Sequence, residues 1–587
     1  MVKNLIKNIK LCWIAFFIPI IALSLWFVLR SATGPYWQFP DPSYGYLSSS
    51  LSLIKGFSPT FNFQPGISVQ ILGGLIILLF NIGHSTADTV HRVLLDPEFY
   101  LNAINAAMII FAFLTSFSLG AYVYRQTNDK ITVLLSQLPV LSILALRSYS
   151  FYDYVPPIVA NVSPEPLLIS VSSLFNLYFL KLFFCKETKE EILPAIFLGT
   201  IFGLGVASKF TYVTFLILPI IVCRGRVKLL FIAVSAISCF LWSVPIIPHY
   251  AWMWHWIYQL ITHTQRYGAG DQGFINPSQY IAVWQYIIVN MCSSLTFFAI
   301  AALLINLRQI IKNRSIDRGT FFLWATILCI LIQFALIAKH YDDHYFVSSM
   351  NLFGPFFVLF YLNVKNKNLF FKTVISLCMM IFVVQSVGHA LKFAQRLSVH
   401  TKETLRFNDM LHSKYPDFTF VGVFPMPLSN PEAAFFWGND RDNRQADELS
   451  ALYPKNLAYF YENVNDYAPY ISGIYSIKQR LWAEDLIMSG SHVLFIAPQG
   501  YDFSQTPYMV VPLEQGQYAA AYLLVKSTEK QANELFDASI KLSEIGDFQN
   551  AVAFALESRE LHYQPDGRIT FLLSRIYHQM KSNEKKL

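Results

Sequence analysis

Eleven long apolar runs dominate this chain, at 11–29, 101–124, 131–147, 165–184, 192–207, 210–223, 228–248, 281–307, 320–338, 346–363 and 369–389. Most have the length a helix needs to cross a hydrocarbon layer of about 30 Å. With 54% hydrophobic and 14% charged residues over 587 positions, no single soluble core can hide so much apolar surface, and lipid is the expected solvent for most of the chain. The formal charge of +7 needs no nucleic-acid partner, because Lys and Arg retained on the cytoplasmic side account for it. The first run is followed by Arg30 and no small-residue cleavage site, so it is expected to stay as a first span.

Charge sets the expected topology. With a cytoplasmic N-terminus, Lys3, Lys7 and Lys10 lie inside, followed by Arg125 and Lys130, then Lys181, Lys186 and Lys189, then Arg224, Arg226 and Lys228, then Arg308, Lys312, Arg314 and Arg318, and finally Lys365, Lys367 and Lys372. This holds only if the short apolar run 67–83 does not cross; a crossing there inverts every later loop. That run is therefore expected at the outer surface or dipping in and out, and Trp252-Met253-Trp254-His255-Trp256 reads as a helix lying in the interface. The expected fold is a polytopic α-helical membrane protein of about eleven spans over residues 1–390, with a multi-pass inner-membrane location.

The tail is expected outside the cytoplasm. Residues 391–526 carry short β-type runs at Phe418–Phe424, His492–Ile496, Tyr508–Pro512 and Tyr522–Val525, separated by turn-rich stretches such as Gly438-Asn439-Asp440-Arg441-Asp442-Asn443. They predict a small mixed α/β domain. Residues 527–587 read as helical. Gly546, Ala551, Ala555 and Pro565 fit one tetratricopeptide-like hairpin and the start of another, or a plain helical cap. A lone repeat cannot bury its own face, so it should pack on its neighbour or on a protein partner. No cysteine lies beyond Cys378 and no Cys-x-x-Cys pair occurs, which leaves the tail without a disulfide or cysteine-metal framework.

Polar groups on the outer side are few. The first outer loop runs Phe39-Pro40-Asp41-Pro42-Ser43-Tyr44-Gly45-Tyr46-Leu47 and continues through Gly56 to Asn62-Phe63-Gln64-Pro65-Gly66. Later come Asp153, Glu165 at the start of a span, Lys209 in a tight turn, and Lys339-His340-Tyr341-Asp342-Asp343-His344-Tyr345. Each has a plain structural reading. Asp41 suits an N-cap with Pro42 at the first helical position, Glu165 complements a helix dipole, Asp153 suits a turn, and Lys209 suits a snorkelling anchor. His340 and His344, four apart, could share a helical face toward a metal, but no third ligand is evident. Arg266 and Asp271 around Gly268-Ala269-Gly270 suit a mobile lid.

An acid after the first span, Asp-Pro-x-Tyr-x-Tyr-Leu at 41–47, a helix ending at Gly56 and a Pro65-Gly66 loop opening a second surface helix together resemble the GT-C superfamily of membrane glycosyltransferases. The superfamily often has His-Pro-Gly where this chain has Gln64-Pro65-Gly66, and Arg-Tyr where it has His344-Tyr345. The resemblance implies a hexosyl or pentosyl transferase using a polyprenyl-phosphate sugar donor and a glycan, lipid or protein acceptor. It implies catalytic roles for Asp41 and Glu165, and substrate binding by Tyr44, Gln64, Lys209, Lys339, His340, His344 and Tyr345; Asp153, among the few acids of the outer loops, is a further catalytic candidate. No cofactor is expected, and a divalent metal has no support in the residues. The chemistry agrees: a carboxylate activates the acceptor hydroxyl, and fixed cations stabilise the departing phosphate. Two other functions fit a many-span chain and carry different expectations. An O-antigen ligase or polymerase is expected to carry its Arg and His in one long late loop. A transporter or flippase is expected to show paired repeats and mid-membrane charges.

Overall fold

The structure is a computed structural model. It describes residues 2–61, 65–147, 155–264, 272–291, 317–364, 369–424, 431–442, 444–452, 458–462, 473–475, 480–481, 492–501, 510–524, 529–544, 547–561 and 572–577, with isolated positions at 300, 304, 307 and 579. Two compact units emerge: residues 1–36 with 45–399, and residues 37–44 with 400–587.

The first unit is a helical bundle. In chain order the described helices up to residue 414 are α1 Val2–Ala32, α2 Ser43–Ile54, α3 Ile67–Phe80, α4 Thr86–Leu95, α5 Pro97–Thr127, α6 Lys130–Gln137, α7 Pro139–Ile143, α8 Pro164–Phe184, α9 Ile192–Ser208, α10 Ile217–Val222, α11 Gly225–Ser243, α12 Tyr250–Thr262, α13 Pro277–Tyr286, α14 Arg318–Lys339, α15 Val347–Asn363 and α16 Leu369–Lys414, the last running on from residue 400 into the second unit. Among the described residues eight helical stretches are long and apolar enough to cross a membrane, and they coincide with eight of the expected spans. Two further spans, expected at 131–147 and 210–223, are shorter apolar helical stretches at Lys130–Ile143 and Phe210–Val222. Most of the span expected at 281–307 lies outside the described residues.

Packing follows from composition. Residues Val347–Tyr361 of α15 are buried on every side, so this helix is a core element, and it meets a neighbouring helix through a polar contact: Asn176 Nδ2 donates to the Asn351 carbonyl at 2.8 Å. Helices α9 and α11 approach closely because Gly199 has no side chain; a Cβ there would stand 3.0 Å from the Phe231 carbonyl oxygen. Small residues at such crossings are what membrane helices use in place of a hydrophobic driving force.

Charged residues sort to opposite ends of the bundle. At one end Glu191, fully buried, lies 3.4 Å from both Arg224 and Arg318, and Arg318 also donates to the Leu182 carbonyl at 2.8 Å. Three of the basic loops are thereby gathered. At the other end Glu165 pairs with Lys209.

Helix α3 belongs wholly to that second end. At its start Gly66 N–H donates to the Ser208 carbonyl at 3.2 Å, and at its close Asn81 Nδ2 donates to the Tyr100 hydroxyl at 3.0 Å, one turn into α5. Its 14 residues extend only about 21 Å at 1.5 Å per residue, short of the roughly 30 Å core. The chain therefore enters α3 and starts α5 at the same end. The aromatic helix α12 also stands apart, separated from α11 by a 3₁₀ turn carrying Pro245 and Pro248. It exposes Trp252 and Trp254 while burying Met253, Trp256 and Ile257 against Ile67 and Ala207, the two-faced pattern of an interfacial helix.

Among the described residues the second unit holds a seven-stranded sheet of β1 Thr419–Phe424, β2 Ala458–Glu462, β3 Gly473–Tyr475, β4 Arg480–Leu481, β5 Val493–Pro498, β6 Val510–Gln515 and β7 Ala519–Leu524, in the order β4-β3-β2-β1-β5-β7-β6. The central pairs β1–β2 and β1–β5 are parallel, and the outer pairs are antiparallel. Strand β5 is buried through five consecutive residues, as a central strand covered on both faces must be. Helices α17 Pro431–Asp442 and α18 Ala446–Leu452 accompany it. The stretch 438–442, expected as a turn, is instead the last part of α17. Pro431 starts that helix, and Ala434, Phe435 and Trp437 bury one face of it, so packing overrides the local turn preference of Gly, Asn and Asp. The expected domain boundary after residue 390 falls inside α16, one continuous helix of 46 residues. The end of the chain forms a helical hairpin, α19 Glu529–Glu544 and α20 Phe548–Leu561, whose Leu535, Leu542, Ala551, Phe554 and Ala555 share a core with Leu572 and Ile576.

Candidate active site at one end of the bundle

The site is assembled from three helix ends. Pro164 occupies the first turn of α8, and Glu165 follows it. The preceding segment is pinned by Asn105 of α5, whose Nδ2 donates to the carbonyls of Val159 at 3.1 Å and Asn161 at 2.8 Å, while its Oδ1 accepts from the Trp26 indole at 3.0 Å. Lys209 caps the end of α9, with its N–H donating to the Gly205 carbonyl at 2.9 Å. His344 and Tyr345 sit in a 3₁₀ turn that leads into α15.

These ends bring Glu165, Lys209, His344, Tyr345 and Asp342 together, all buried. Lys209 Nζ donates to Glu165 Oε1 and lies 4.4 Å above the Tyr345 ring. His344 Nε2 is 3.8 Å from the same Glu165 oxygen, and His344 Nδ1 is 3.0 Å from Asp342 Oδ1, close enough for charge pairing without hydrogen-bond alignment. Beside them Tyr341 donates to Asp343. Burial, reinforced by the Asp343 carboxylate, holds the Tyr341 phenol well above its ordinary range, so it serves as a donor at neutral pH.

Lys209 and Tyr345 also line a cavity of about 410 Å³. Its walls are overwhelmingly apolar, drawn from Phe210, Trp256, Ile257, Phe274 and Leu336. Its polar rim includes Lys209, Lys339 and His340. Lys339 Nζ donates to the Ile261 carbonyl and lies 4.7 Å from the Phe274 ring centroid. His340 Nε2 donates to the Leu260 carbonyl at 2.6 Å. These donors therefore bind the last carbonyls of α12, where the helix dipole is negative. The Tyr280 hydroxyl closes another side by donating to the Ala335 carbonyl at 3.1 Å.

The turn into α3 abuts this site. Gly66 has φ +61°, and a Cβ there would overlap the Tyr46 ring. The Ser68 and Ser208 hydroxyls bond at 2.7 Å, one residue from Lys209. Gly66→Ala is expected to destabilise the protein by about 1–3 kcal/mol through strained backbone and the displaced Tyr46 ring. Thermal unfolding in detergent measures it, and a wild-type melting point would remove the glycine requirement.

Asp41 and Tyr44 group with the second compact unit. Asp41 is half-buried in a turn before α2, with a cis bond to Pro42. The helix starts at Ser43, one residue later than the N-cap reading of Asp41 requires. Tyr44 is fully buried, its ring edge-on to Phe435 at 5.1 Å. Gln64, Asp153, Arg266 and Asp271 lie outside the described residues. His340 and His344 do not share a helical face. Helix α14 ends at Lys339, His340 caps it, and the chain turns before His344. Among the described residues no group of three His, Cys, Asp or Glu side chains is gathered to hold a metal. Sequence reasoning took α12 as an interfacial helix but not as a cavity wall. The signal was there in Trp256, Ile257 and Leu260, spaced for one helical face.

No protein-family model matches the sequence, and no curated protein sequence does. The coordinates are similar to those of ArnT from Cupriavidus metallidurans bound to undecaprenyl phosphate, at 12% identity and a TM-score of 0.45 over 87% of this chain and 98% of that one. They are similar to the same ArnT in its apo state, at 12% identity and 0.47 over 86% and 97%. They are also similar to the Archaeoglobus fulgidus oligosaccharyltransferase in complex with Zn and sulfate, at 11% identity and 0.40 over 95% and 85%.

Proposed function

We propose that this chain is a membrane glycosyltransferase of the GT-C type that moves a sugar from a polyprenyl-phosphate donor to an acceptor on the extracytoplasmic side of the inner membrane. The observation that carries this is an apolar cavity at a membrane-bundle end, rimmed by Lys209, Lys339 and His340. An isoprenoid chain suits the walls and a phosphate suits the rim, where fixed cations act in a low-dielectric setting.

In this reading the acceptor hydroxyl loses its proton to Asp41 and its oxygen attacks the anomeric carbon. The carbon–oxygen bond to phosphate breaks with inversion, and the lipid phosphate leaves with the bonding electrons. Lys209 and Lys339 take up the charge that builds on the phosphate. Glu165 is a positioning residue, holding the Lys209 ammonium in place with Tyr345 beneath it, while Asp342 and His344 complete the cluster.

Transfer from a panel of polyprenyl-phosphate sugars by the purified full-length protein tests the proposal. Turnover with at least one donor is expected; failure with every sugar tested would withdraw it. Binding of polyprenyl phosphate alone gives a second handle. Lys339→Ala should weaken it about tenfold or more, the loss of one charge-assisted contact, and unchanged affinity would remove Lys339 from the site.

A further inference from the structure

The other end of the bundle holds a second cavity, of about 350 Å³, between the end of α5, the end of α8 and the start of α9. We infer that it binds one anionic phospholipid, with the headgroup phosphate on Lys181 and an acyl chain along the wall formed by Leu193 and Phe197.

Lys181 lies in the last turn of α8, at the depth where a lysine reaches for the lipid headgroups. Its ammonium sits 4.2 Å from the Tyr178 ring centroid and 5.5 Å from that of Tyr122. Aromatic faces steady a cation without neutralising it, and no carboxylate pairs with Lys181 among the described residues. The one acid on the cavity wall, Glu190, turns its Oε2 to the backbone N–H groups of Lys186 at 2.7 Å and Glu187 at 3.3 Å. Lys181 thus lines the cavity with no direct ion pair among the described residues, and the exposed Gln126 amide stands ready as a second donor.

The wall beside it is apolar and open. Leu193 is 61% exposed, and Phe197 is exposed with its ring stacked on Tyr178 at 4.5 Å. A cation at headgroup depth beside an open apolar wall complements a phosphate joined to an acyl chain. An acyl chain needs no polar partner along its length, and a polar or peptide ligand would leave that wall unmatched. The neighbouring basic loops at Arg224 and Arg318 add a field that favours anionic over zwitterionic lipid. This inference stands apart from the transferase reading, since none of these residues belongs to the proposed active site.

Native mass spectrometry of the full-length protein with phosphatidylglycerol and phosphatidylcholine tests it. The wild type should retain phosphatidylglycerol at least fivefold over phosphatidylcholine, and excess inorganic phosphate should not displace it. Lys181→Met should bring the ratio near one, Lys181→Arg should keep it above threefold, and Gln126→Leu, at an exposed position, should lower it about twofold. Three results would each overturn the assignment: equal retention of the two lipids by the wild type, an unchanged ratio in Lys181→Met, or displacement by inorganic phosphate, which would mark a simple anion site. A loss as large in Lys186→Met would equally refute it, as general surface charge.

Discussion

Lys209→Met is expected to cost about 3–5 kcal/mol of stability, because it leaves the Glu165 carboxylate buried without its cation. Both side chains are almost fully buried, so water cannot make up the loss. His344, 3.8 Å from the same oxygen, is too far to replace a direct charge-assisted hydrogen bond. The companion change Glu165→Gln should be similarly harmful alone, since it strands the ammonium. The double variant Glu165→Gln/Lys209→Met should recover at least half of the loss, as buried pairs do when both charges are removed. Thermal unfolding in detergent measures all three. A Lys209→Met protein that melts like the wild type, or a double variant no better than the worse single one, would show that the two charges do not depend on each other.

Asp41→Asn is expected to lower turnover by about 10²–10⁴-fold, the usual contribution of a positioned general base. The amide keeps the shape of the carboxylate and cannot accept the acceptor's proton. Polyprenyl phosphate binding should stay within about twofold of wild type, because its proposed phosphate-binding groups come from Lys209, Lys339 and His340. That division separates a base from a donor-binding group: a variant that loses binding and turnover together would move Asp41 out of the proton-transfer role. Normal transfer by Asp41→Asn would remove it from the chemistry altogether.

The membrane character was legible because lipid-facing helices need long apolar runs and leave little room for other patterns. The two faces of the bundle were legible too. Glu191, Arg224 and Arg318 gather at one end and Glu165 and Lys209 at the other, as the alternation of basic loops required. Glu165, Lys209 and His344 were singled out one at a time, yet their union was not foreseen. Their partnership depends on how α8, α9 and the turn before α15 pack, and sequence spacing carries no record of a 44-residue contact such as Lys209 with Glu165. The cavity was hidden for the same reason, being walled by the 3₁₀ segment Phe210–Leu216 and helices α12, α13 and α14. In the second unit the runs at β1, β5, β6 and β7 were readable, while β2, β3 and β4 were not. Strands β3 and β4 have only three and two residues, too few to show alternation. Helix α17 went unread because Gly438, Asn439 and Asp440 advertise a turn that buried Phe435 and Trp437 outweigh.

The bond between the Ser68 and Ser208 hydroxyls joins positions 140 residues apart. During synthesis at about 5–20 residues per second, the segment that becomes α3 leaves the ribosome roughly 7–30 s before its docking partner exists. Too short to cross and too apolar for water, it must wait on the membrane surface through the insertion of the intervening spans. The end of the bundle that bears the cavity is therefore among the last parts of this unit to be completed, and variants that weaken the Gly66–Ser208 junction should be caught by quality control as membrane-inserted but unfinished chains.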